Sequence, residues 1–168
     1  HPALTASLIL AFAALMCLSA QVSVPMHPVP MTMQSAAILL AGAVLGPRGG
    51  VAAVLLYLAA AAVGLPVLSD GTGGLSRFVG PTAGYLFAFP IAAGFTGWAA
   101  ERGLLGRPVA GVALLMAAHL LLLGLGAAWL ARTMGAEPAF QAGFTPFLIG
   151  AVVKSALVLV LSWGLSRV

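Results

Sequence analysis

The only lysine of the chain, Lys154, lies inside FLIGAVVKSALVLVL, residues 147–161, with seven uncharged residues on either side. An ammonium at the middle of a bilayer costs about 3 kcal/mol or more, so such a group faces a bundle interior or a wet cavity. On a helix, Phe147, Gly150, Ala151, Lys154 and Ser155 share roughly one face, at spacings of three, four and seven. That face offers an aromatic ring, a small-residue notch and a cation. A small organic carboxylate with an apolar body would suit it. Two other arrangements stay open. The lysine could pair with an internal acid, Asp70 or Glu137, if their loops fold inward. It could also snorkel to the interface, which is hard from the centre of such a run.

The other reactive residue types are scattered. The acids are Asp70, Glu101 and Glu137, and no two form a carboxylate pair at a useful spacing. His1, His27 and His119 are too dispersed for a metal motif such as His-x-x-x-His. His119 lies inside an apolar stretch and reads as a packed, hydrogen-bonded histidine. No Gly-x-Ser-x-Gly nucleophile elbow is present. The glycines of SDGTGGLSRFVGPTAGY, residues 69–85, resemble a phosphate cradle only superficially, because they lack a Gly-x-x-x-x-Gly-Lys-Ser/Thr pattern and a nearby lysine. No enzyme activity, metal or resident cofactor is expected.

Elements must position these groups, and composition decides their kind. Of 168 residues, 62% are hydrophobic and 6% are charged, against about 25% charged in a soluble domain. So little charge cannot cover a surface in water, and the chain is an integral membrane protein. Its net charge of +4 comes without basic runs or aromatic-basic interleaving, which excludes nucleic acid as a partner. Cys17 is the only cysteine, so no internal disulfide can form, and it reads as inert packing. The chain begins at His1, so a few native residues are expected to precede it.

Six apolar stretches can be marked, over 3–24, 33–45, 50–67, 82–100, 109–131 and 145–163. The first lacks a basic leader and is followed by five more, so it reads as a retained helix. Continuous apolar runs are not the alternating pattern of a barrel strand, and helix is the expected spanning form. The expected fold is an all-α integral membrane bundle of six transmembrane helices, one domain over 1–168, without internal repeats. Arg48, Arg102, Arg107 and Arg167 fall on one side of this arrangement, with Arg77 and Arg132 on the other, which favours N-in and C-in.

The 33–45 stretch, at about 1.5 Å per residue, spans roughly 20 Å against a hydrocarbon core of about 30 Å. It follows Pro25, Pro28 and Pro30. Short, proline-interrupted segments point to a transporter binding site. The alternative is a tilted helix at the bundle edge with an external loop before it. Glycine frees the backbone of 69–85, which fits a mobile or lid-like loop as well as a plain exposed connection. Gly42-x-x-x-Gly46 and Gly80-x-x-x-Gly84 suit close helix approach. Ala3, Ser7 and Ala11 form a small-residue stripe, by default an intramolecular contact and otherwise a docking face for a partner subunit.

VPMTMQS (29–35), LLAGAVLGPRGG (39–50), LLYLAAAAVGLPV (55–67), the GG of 73–74 and GPTAGYL (80–86) resemble the BioY family, the biotin-specific substrate-binding (S) component of energy-coupling-factor (ECF) transporters. FTPFLIGAVVK (144–154) resembles the same family's closing element. The resemblance implies a six-helix domain that binds biotin from the outer side of a bacterial cytoplasmic (inner) membrane. It implies association with a transmembrane coupling subunit and two ATPase subunits, although some members occur without them. This chain departs from the family at Ala151, where an aspartate associated with ligand binding is usual, and Lys154 therefore lacks a counter-ion one turn away. Leu68 stands where a phenylalanine is common.

On this reading biotin sits between the 25–34 segment, the 70–85 loop and the last three helices. Lys154 is the charged contact, Gln34 and Tyr85 are polar contacts, and Phe147 covers the ring. Thr32, Gly74 and Thr82 are weaker candidates, with Gly150 and Ala151 beside Lys154. Arg77 either draws the anionic substrate inward or is an ordinary solvated arginine, the second being preferred. Other readings are a self-sufficient homo-oligomeric biotin carrier, the same scaffold with another vitamin, and an intramembrane enzyme.

Overall fold

The computed structural model describes residues 2–165, so His1 and Arg167 lie outside the described residues. Helix α1 covers Pro2–Gln21. A short antiparallel hairpin follows, in which β1 (Ser23–Val24) pairs with β2 (Met31–Thr32). Helix α2 covers Gln34–Ala62, α3 Ala83–Glu101 and α4 Pro108–Met134. The short α5 covers Ala136–Gly143, and α6 covers Leu148–Leu165. Among the described residues, five segments are long and apolar enough to cross a membrane.

The difference from six lies in α2, which joins the second and third apolar stretches. It is not one rod. Gly46 has φ 73° and ψ 179°, a conformation open to glycine alone, and Pro47 follows it. Proline suits the first position of a new helix, so the chain stops, reverses and restarts there. The return is close. A Cβ on Gly50 would stand 2.7 Å from the Gly42 Cα, and the Tyr57 hydroxyl meets the Gln34 amide at the open end. Segment 34–62 is thus a helical hairpin with limbs 34–45 and 47–62.

Glycines also set the spacing of the other helices. A side chain at Gly42 would strike the Ala93 carbonyl of α3, and one at Gly97 would strike the backbone of Gly46 and Pro47. Gly84 lies against Trp129 of α4, and Gly126 against the Tyr85 ring. Such contacts let backbones approach and gain dispersion energy where lipid offers no hydrophobic drive. Of the four glycines in the two Gly-x-x-x-Gly pairs, Gly42 and Gly84 serve this purpose. Gly46 makes the turn, and the Gly80 carbonyl accepts the Trp129 Nε1 proton at 3.0 Å.

Buried residues such as Met16, Ile38, Leu39, Tyr57, Leu115 and Val158 fill the interior, while Leu18, Leu55, Ile149 and Val160 point outward. Ala3, Ser7 and Ala11 are exposed on α1, so their stripe is not an intramolecular contact. The bundle has two distinct ends. One carries the Gly46 turn, Arg48, Arg102 and Arg107, with the Trp163 Nε1 proton bonded to the Leu105 carbonyl at 2.8 Å. The other carries the β-hairpin, the 63–82 connection, Arg77, Arg132 and α5. Arg102 lies over Trp98 at 4.3 Å and Arg132 over Trp129 at 4.7 Å, which places amphipathic anchors at both ends.

Candidate functional site

A cavity opens at the end that carries the β-hairpin and, with its mouth included, encloses about 770 Å³. The segment over 29–35 forms one wall because β2 feeds directly into the short limb of α2. Ser69, Thr72 and Arg77 close it from the 63–82 connection. This connection is organised by two 3-10 turns, Ser69–Gly71 and Leu75–Phe78, and by pairing of Leu68 with Thr72. The Gln21 side chain holds it to the end of α1, donating to the Leu68 carbonyl at 3.0 Å and accepting from the Gly71 N–H at 3.1 Å. Leu86, Phe89, Leu122, Leu123 and Phe147 give the cavity its apolar lining.

Lys154 lines this cavity. Its ammonium donates to the Thr32 carbonyl and to Ser35 Oγ, both at 2.9 Å. These groups are neutral, and no acid among the described residues forms an ion pair with it. Neither Asp70 nor Glu137 takes the role left open for it. An ammonium has three protons, so one donor is left for a ligand. Arg77 is a second cation on the wall, exposed toward the mouth. No carboxylate lines the cavity. Two cations without a counter-charge make an electropositive site that favours an anion.

The remaining polar wall is tied into the protein. The Gln34 carbonyl oxygen accepts from Thr32 Oγ1 at 3.0 Å, and its amide donates to the Tyr57 hydroxyl. Tyr57 passes the chain on to the Val67 carbonyl at 2.9 Å. One amide proton and one carbonyl lone pair of Gln34 stay available. The Tyr85 hydroxyl donates to the Gly143 carbonyl at 2.6 Å, so toward a ligand it can only accept. His119 is 2% exposed and lies on the wall, with Nδ1 3.1 Å from the Leu115 carbonyl and 3.0 Å from Ser155 Oγ.

The structure brings Thr32, Gln34, Thr82, Tyr85, Phe147, Ala151 and Lys154 to one cavity. Gly74 and Gly150 are not on its lining. Gly74 has φ 96° and its N–H bonds the Ala61 carbonyl at 2.7 Å, so it shapes the connection behind the wall. Gly150 faces Met31, whose sulfur would lie 3.4 Å from an added Cβ. Arg77, preferred as a solvated residue, is on the wall as well as exposed. His119 is packed and hydrogen-bonded as expected, and it also reaches the cavity. Its signal was an ionisable residue inside an apolar helix, the same signal that singles out Lys154. Ser35, Ser69 and Thr72 carried no such signal.

A family model described as the BioY family matches residues 3–168. A probable biotin transporter BioY of Pyrococcus horikoshii is 38% identical over 156 residues, covering 93% of this chain and 92% of that protein. The biotin transporter BioY of Rhodobacter capsulatus is 43% identical over 139 residues, covering 75% and 73%. A crystal structure described as the S-component for biotin from an ECF-type ABC transporter superposes with a TM-score of 0.88 at 26% identity, covering 99% of this chain and 93% of that one.

Proposed function

The chain belongs to the BioY family, and on that premise we propose that it is the membrane-embedded S component through which an ECF-type transporter takes up biotin. It is a transporter subunit and not an enzyme. The observation that carries this reading is the cavity: apolar side chains for a ring body, with Lys154 and Arg77 for a carboxylate and no opposing acid. Biotin has that shape and charge. Lys154 is the charged contact, held ready by Thr32 and Ser35, while Gln34 and Tyr85 bond polar atoms of the ligand and Phe147 covers it. Energy comes from a transmembrane coupling subunit and two ATPase subunits. The outward small-residue stripe of α1, Ala3, Ser7 and Ala11, suits close approach by a partner helix.

On this reading the short limb of α2 crosses together with the segment that precedes it and the long limb crosses alone, giving six passes with both termini in the cytoplasm. The end with Arg48, Arg102 and Arg107 then faces the cytoplasm under the positive-inside rule, and the cavity opens outward across the cytoplasmic membrane. Biotin titrated against the purified protein tests the ligand, with submicromolar affinity expected and no preference over other vitamins refuting it. Biotin uptake by cells lacking every coupling subunit would refute the partnership and favour a self-sufficient carrier.

A further inference from the structure

Among the described residues, two buried side-chain polar atoms have no hydrogen-bond partner within the protein, Thr96 Oγ1 and His119 Nε2. Only His119 belongs to the cavity wall. Its tautomer follows from its neighbours. Nδ1 lies 3.1 Å from the Leu115 carbonyl, and a carbonyl can only accept. A bare Nδ1 would set two lone pairs against each other, so Nδ1 carries the proton and shares it between Leu115 and Ser155 Oγ. This assignment comes from the hydrogen-bond network. A neutral imidazole with a proton on Nδ1 has a bare acceptor at Nε2.

Buried acceptors are almost always satisfied, so an open one on a cavity wall calls for a partner from outside the protein. Resting on the biotin reading, we infer that His119 Nε2 accepts a hydrogen bond from a ureido N–H of the ligand, so that the imidazole reads the ring end while the cations read the carboxylate end. His119 is held by Ser155, one residue beyond Lys154 on α6, and the Lys154 ammonium bonds Thr32 and Ser35 at the start of α2, so both groups belong to the wall of one cavity. The Ala151 side chain, 1% exposed on the same wall, offers no polar atom of its own. His119 is therefore a polar group on this wall that distinguishes a cyclic urea from a ring of similar size without N–H donors.

The test measures binding of biotin and of its two ureido N-methyl derivatives to purified wild-type protein, His119→Gln and His119→Leu. The wild type should bind one N-methyl isomer about 10-fold or more weakly than biotin, the scale of one lost hydrogen bond to a buried acceptor. In His119→Leu that preference should fall below about 3-fold, and His119→Gln, which keeps an acceptor, should retain part of it. A His119→Leu preference equal to that of the wild type would overturn the inference whatever its absolute affinity, as would a wild type that binds all three ligands equally. No biotin binding by the wild type would instead overturn the biotin reading, and the inference with it.

Discussion

Replacing Lys154 by methionine keeps most of the stem and removes the charge. The ammonium spends two protons on the Thr32 carbonyl and Ser35 Oγ and has one left for the substrate. It is half-buried, and no acid lines its cavity. Truncating one partner of a desolvated charge pair costs about 2–5 kcal/mol. That corresponds to a loss of roughly 30- to 5,000-fold in biotin affinity. The ligand-free protein should change much less. Methionine forfeits two hydrogen bonds to neutral groups but also removes the cost of desolvating a cation, and the two effects oppose each other. Titration calorimetry with biotin and with neutral biotinamide separates the contributions. Wild-type protein should prefer biotin strongly, and Lys154→Met should lose most of that preference. Unchanged biotin affinity would remove Lys154 from the site. Equal losses for both ligands would assign it to another part of biotin, and a preference abolished only by Arg77→Met would move the carboxylate to the mouth.

Three further outcomes follow from the packing. Tyr57→Phe leaves the Gln34 amide and the Val67 carbonyl without their shared partner, so stability should fall by about 1–3 kcal/mol in a thermal melt, with weaker biotin binding. Gly97→Leu drives a side chain into the Gly46–Pro47 backbone and should abolish monodisperse protein on gel filtration, whereas Gly124→Leu, which meets nothing within 4 Å, should be tolerated. Ala151→Asp sets an acid one turn from Lys154 and neutralises the cation that the carboxylate reading needs, so biotin binding should weaken in the same titration; stronger binding would mean that Lys154 does not meet the carboxylate.

Part of the cavity wall is legible in the sequence because its signals are local. A lone cation in an apolar run marks Lys154, and the prolines before 33–45 mark a short segment that points to a cavity as well as to a tilted helix. Both readings meet at the cavity, where Lys154 bonds the carbonyl of Thr32. Gly74 and Gly150 lie off the cavity lining, since a glycine in a motif can serve a turn or a helix contact as well as a ligand. Arg77 has the sequence surroundings of any exposed loop, and it is exposed. What puts it on the wall is the fixing of that connection by Gln21, fifty positions before Gly71.

Membrane residence and helical form were determined by composition and run length alone, since scarce charge and unbroken apolar stretches leave the backbone no other way to satisfy its hydrogen bonds in lipid. The tertiary structure decided the rest. Reversal at Gly46 brings Gln34 to Tyr57, and packing of α6 against α4 sets Ser155 beside His119. The acceptors of the Lys154 ammonium lie 122 and 119 residues before it in the chain. Which faces meet depends on the rotation and spacing of helices held together by close backbone contacts, and no local pattern encodes those quantities.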